Sequence, residues 1–83
     1  MEKIVTEVYL PAAGQSFDVR IPLDISMYEA ADIVGKLLGE LAEGYFKPSG
    51  DEILCDRETG RMFDGSRTPA ELGIAEGARL MLL

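Results

Sequence analysis

Cys55 is the residue with the most reactive chemistry in this sequence, and its neighbours do nothing to activate it. A thiol becomes a nucleophile when a base or a cation lowers its pKa, and Cys55 lies between Leu54 and Asp56. The 83 residues contain no histidine, so the usual general base near neutral pH is missing. Cys55 is therefore expected to be a small hydrophobe, in the core or at the surface, on a strand. One Cys without His cannot build a structural zinc site. The carboxylate pairs Asp51-Glu52 and Asp56/Glu58 lack the oxygen ladder and glycine of a calcium loop. The glycines form no phosphate-cradling pattern. The expectation is a protein without catalytic, cofactor or metal sites: not an enzyme.

Charge excludes further classes. The net charge is −7, and the eight basic residues are scattered from Lys3 to Arg79 without forming a stripe. Nucleic acid and anionic membranes select clustered Lys and Arg, so no nucleic-acid partner is expected, and a basic protein is the natural complement. A lone cysteine forms no intramolecular disulfide. The segment Met1–Glu7 lacks the apolar core of a signal peptide, and no run approaches the roughly 20 apolar residues that span a bilayer. A cytoplasmic protein without membrane insertion is expected.

The elements that would position a surface follow from periodicity. Eighty-three residues suit one domain, taken as residues 1–83. Ile4 to Leu10 is rich in β-branched and aromatic residues. Ser16 to Ile21 alternates, with Phe17, Val19 and Ile21 inward and Asp18 and Arg20 outward. The turn Pro11–Gln15 joins these two strands into a hairpin. Pro22 ends the second strand. Ser26 with Glu29 makes a capping box. Met27, Ala30, Val34, Leu37, Leu38 and Leu41 then form the apolar stripe of a helix, with Gly44 as its C′ residue. Gly35 and Gly39 inside it mark close packing or looseness. Ile53-Leu54-Cys55 and Arg61-Met62-Phe63 are short strands around an Asp56–Gly60 turn, where Gly60 takes positive φ. Asp64–Arg67 is a turn. Thr68–Leu72 is one capped helical turn, and Ala78–Leu83 is the last strand. The order β-β-α-β-β-(short helix)-β indicates an α+β fold, a mixed sheet of about five strands with one long helix on one face.

This order resembles ubiquitin and its β-grasp fold. The local match runs through Asp64-Gly65, Arg67-Thr68, Leu72-Gly73-Ile74 and Leu80-Met81-Leu82, with Pro22 and Asp24 before the helix. Phe17–Pro22 and Gly73–Leu80 are similar to the bacterial EsaB/YukD family, cytosolic ubiquitin-like proteins associated with type VII (WXG100) secretion. That resemblance implies a cytoplasmic accessory or regulatory protein that docks non-covalently on protein partners, including secretion-system components. The sequence departs from ubiquitin at Leu80-Met81-Leu82-Leu83, where a conjugated modifier or sulfur carrier carries a Gly-Gly tail. Conjugation is therefore not expected. A modifier whose tail lies beyond these residues, and a self-associating module, are the alternatives.

Strand alternation names the docking surface. With Leu80 and Leu82 toward the helix, Arg79, Met81 and Leu83 take the open face, and Tyr9 joins them if Val8 and Leu10 point inward. In a β-grasp sheet the first and last strands are neighbours, so Tyr9, Arg79, Met81 and Leu83 are expected to form the protein-binding site, with Glu7 at its rim. The position of Leu83 resembles one in ubiquitin's apolar patch. Tyr45 and Phe46 are the second candidate, either capping the core or projecting as an aromatic anchor. The expected state is a monomer or weak dimer.

Overall fold

Alternation in two eight-residue strands sets the sheet. The computed structural model describes residues 2–42, 44 and 46–83. β1 (Lys3–Leu10) and β2 (Gln15–Pro22) pair antiparallel in full register, Lys3 opposite Pro22 and Leu10 opposite Gln15. After helix α1 (Met27–Leu41), β3 (Leu54–Asp56) and β4 (Arg79–Leu82) complete a mixed sheet in the order β2-β1-β4-β3. β4 runs parallel to β1 at the centre and antiparallel to β3. This is the ubiquitin-like β-grasp.

Even-numbered positions of β1 and β4 build the core. Val8, Leu10, Leu80 and Leu82 pack with Val19 and Ile21 beneath Val34 and Leu38 of α1. Fully burying one such leucine stabilises the fold by about 1.5–3 kcal/mol. Thr6 is also buried on this side, and its hydroxyl donates to the Val19 carbonyl at 3.0 Å. That bond removes the cost of a buried, unpaired hydroxyl.

The helix starts where the capping signal lies. Ser26 is extended at ψ 156°, and its Oγ accepts from the Glu29 N–H at 3.2 Å. Only that half of the box forms among the described bonds. The buried face is Met27, Ala30, Ala31, Val34, Gly35 and Leu38. Leu37 and Leu41, expected inside, lie 36% and 49% exposed. At about 100° per residue they fall with Ile33 on the helix flank, while Met27, Val34 and Leu38 take the line nearest the sheet. Gly35 and Gly39 mark close packing, not looseness. A Cβ at Gly39 would meet Pro48 Cδ at 2.7 Å, and one at Gly35 would meet Glu52 Oε1 at 2.9 Å. Ala42 is the C-cap, which places Gly44 one position beyond the expected C′.

The remaining turns follow their side chains. The Gly60 N–H donates to the Asp56 carbonyl at 2.8 Å with Gly60 at φ +74°, as the hairpin turn requires. The expected strand Arg61–Phe63 contracts to one bridge, Met62 opposite Cys55. The chain bends away at Asp64, whose carboxylate accepts from both the N–H and the hydroxyl of Ser66, so no length is left for a ladder. Among the described residues four strands therefore stand where about five were expected. Thr68–Leu72 is a single turn with a complete capping box: Thr68 N–H donates to Glu71 Oε1 at 2.9 Å, and Glu71 N–H donates to Thr68 Oγ1 at 3.2 Å.

Candidate functional site

The face of the sheet away from α1 is built row by row from strand register. Met62 pairs with Cys55, Cys55 with Met81, Met81 with Tyr9, and Tyr9 with Ser16. Directly paired residues share a face, so an apolar row crosses the sheet and ends in a hydroxyl. Tyr9 and Met81 are half-buried within it, and Met62 is exposed at one end. Leu83 extends the surface. It exchanges two backbone hydrogen bonds with Ile53, at 2.9 and 3.1 Å, and is 55% exposed.

Arg57 arrives from the hairpin turn after β3 and lies over the Tyr9 ring, its guanidinium carbon 4.3 Å from the centroid. One guanidinium nitrogen bonds Glu7 Oε1 and Ser16 Oγ, each at 3.1 Å. The cation rests on the negative face of the ring and is held there by a carboxylate and a hydroxyl, so the arginine is presented in one orientation. Arg79 lies beside Glu7 in register, yet the carboxylate pairs with Arg57 and leaves Arg79 without an ion pair among the described residues.

Cys55 occupies the middle of the row, fully buried and outside the helix-facing core cluster. Its thiol points to the Met81 carbonyl at 3.6 Å. Burial, then the Asp56 charge, pushes the thiol pKa up, away from a nucleophile's. Cys55 is thus a buried small hydrophobe beneath the open surface.

The structure brings Tyr9 and Met81 side by side and places Arg79 and Leu83 on the same face, as alternation predicts. Arg57 and Met62 belong to this surface and were not among the expected residues. Both stand in a short hairpin with no period to orient them, and the only available signal was Arg57's nearness in sequence to a strand of unassigned face. Phe46 is half-buried against the core cluster, so it caps the core and does not project. Tyr45 lies outside the described residues. Locally the charge reverses sign relative to the whole chain: Lys3, Arg20, Arg57 and Arg79 outnumber Glu7 and Asp18 on this face.

Three comparisons bear on the fold. No curated protein matches the sequence. The ubiquitin-like domain of the Mycobacterium tuberculosis type VII secretion system protein ECCD1 superposes with a TM-score of 0.79 at 15% identity, covering 100% of this chain and 99% of that one. The ubiquitin-like domain of EccD5 from Mycobacterium xenopi gives 0.81 at 17% identity, covering 100% and 94%. A chain of the MycP5-free ESX-5 inner membrane complex gives 0.80 at 18% identity, covering 100% of this chain and 21% of that one. The family described as WXG100 protein secretion system (Wss), protein YukD, matches residues 5–82. With its fold and nearly its full length in agreement, the chain belongs to the YukD family of the WXG100 protein secretion system.

Proposed function

We propose that this protein is a non-catalytic, cytoplasmic accessory component of a type VII-like secretion system, and that it docks on a protein partner through the open sheet face. The observation that carries this reading is the row Met62–Cys55–Met81–Tyr9, exposed at Met62, half-buried at Met81 and Tyr9, and topped by an arginine locked on Tyr9. Exposed apolar residues rimmed by oriented polar groups are the anatomy of a docking surface. Tyr, Met and Arg are also the types enriched at interface centres. The partner inserts an apolar side chain beside Met81 and Leu83 and sets carboxylates against Arg57 and Arg79. A similar fold within a larger chain of an inner membrane complex supports use of this domain as one part of an assembly.

The test is affinity capture from cells that carry such a system, comparing the parent chain with Met81→Glu/Leu83→Glu. Secretion-system components retained by the parent and lost from the variant are the expected result. Equal retention by both proteins would remove the open face from the reading. Recovery of this chain covalently attached to lysines would replace docking with conjugation.

A further inference from the structure

A second surface lies on the opposite side of the molecule, where a free strand edge runs beside an apolar helix flank. β2 is the outer strand at one end of the sheet, and it is eight residues long. Its backbone bonds only to β1 among the described residues, including the Thr6 hydroxyl on Val19. The other edge is closed: β3 has three residues, Cys55 bridges Met62, and the Asp56 N–H donates to the Arg61 carbonyl. An unpaired edge of this length is a template for another strand. The charges on β2 do not obstruct it on the helix side. Asp18 and Arg20 point to the open face, whereas Phe17, Val19 and Ile21 point beneath the helix.

Ile33, Leu37 and Leu41 line the flank of α1 that overlooks this edge. Gly35 and Gly39 occupy the other flank, against Glu52 and Pro48 of the segment that leads into β3. The sheet order puts β3 and β2 at opposite ends, so the leucine flank faces β2. The three side chains are 46%, 36% and 49% exposed. Spaced four residues apart, they repeat about every 6 Å along the helix. Alternate side chains of an extended strand repeat about every 6.6 Å. An added strand running along the helix would therefore present one apolar side chain to each.

The charge beside the stripe identifies the occupant. Glu29 and Glu40 flank it at helical spacing and make no ion pair among the described residues, while Lys36 is taken by Asp32 at 3.0 Å. We infer that this edge and flank bind an extended peptide segment, alternating apolar and polar, that carries Lys or Arg beside its apolar residues. It binds by strand addition to β2. A second copy of the chain is disfavoured, because a two-fold pairing would set Glu29 and Glu40 against their own copies in a protein of net charge −7.

Selection from a displayed library of random octapeptides tests this directly. Peptides retained by the parent are expected to alternate apolar with polar residues and to be enriched in Lys and Arg. They should bind Ile33→Lys/Leu41→Lys at least tenfold more weakly, with Leu41→Ser as a milder variant should the double one unfold. They should bind Met81→Glu/Leu83→Glu as they bind the parent, which separates this surface from the open face. Amide shifts on binding should fall in 15–21 and 27–41. Four results would overturn the inference: no retained peptide, acid-rich or non-alternating peptides, equal binding to the Lys variant, or β2 amides that shift with protein concentration alone.

Discussion

Arg57 leaves a hairpin turn to lie flat on Tyr9, and that one side chain converts an apolar row into an oriented mixed surface. Its contacts are half-exposed, so they contribute modestly to stability and mainly to geometry. Arg57→Ala is expected to lower stability by about 0.5–1 kcal/mol in urea unfolding and to weaken partner binding by more than that. A larger loss of fold than of binding would make Arg57 structural. Cys55 should not react with a water-soluble disulfide reagent until the protein unfolds, because it is fully buried with a raised pKa. Stoichiometric labelling of the folded protein would show the row to be open at its centre. The site was half legible at this scale. Tyr9, Arg79, Met81 and Leu83 follow from period two once Leu80 and Leu82 are inward. Arg57 does not, since a turn residue's direction depends on a contact 48 positions away in sequence.

At the scale of elements, the packing of α1 tolerates little bulk where it meets neighbouring turns. Gly65 shows it most clearly: a Cβ there would meet the Tyr28 ring at 2.5 Å. Gly65→Ala should destabilise by about 1–3 kcal/mol through that overlap, measured by thermal melting. An unchanged Tm would mean the ring moves freely aside. The turns carry a pH dependence of their own. The Ser49 hydroxyl holds Glu52 below the usual carboxylate value, the Ser66 hydroxyl does so for Asp64, and the Thr68 N–H for Glu71. Each folded-state pKa is depressed, so the ionised form is favoured by folding. The stabilisation is complete above the unfolded values of 4.5 for Glu and 3.8 for Asp, and is lost as pH falls through the lower folded values. Carboxyl titration followed by NMR should place these three midpoints below those reference values; Glu71→Gln should flatten the acid limb of the stability curve. Caps, turns and the β1–β2 hairpin were legible because each is encoded within a few residues. The expected strand at Arg61–Phe63 was not, because side-chain capping by Asp64 competes with the ladder. The stripe assignment of Leu37 and Leu41 failed for a related reason. Spacing alone does not mark where the buried arc ends, and Val34 and Leu38 occupy its centre.

As a whole, the molecule separates charge between two sides. The open face is locally basic in an acidic protein, while α1 carries Glu29, Asp32 and Glu40 on its outer side. Net charge alone points to a basic partner, which suits the helix side. The parallel β1–β4 pairing that creates this face joins residues about 70 positions apart. No local pattern announces such a contact, and it was anticipated through resemblance to a known fold. Binding at the open face should weaken as salt rises, since Arg57 and Arg79 lie within reach of solvent. The most direct measurement is an NMR titration of the labelled chain with the secretion component that capture identifies. Amide shifts concentrated at Glu7, Tyr9, Ser16, Arg57, Arg79 and Met81 are predicted. Shifts confined to α1 and β2, with the open face unmoved, would contradict docking through the sheet.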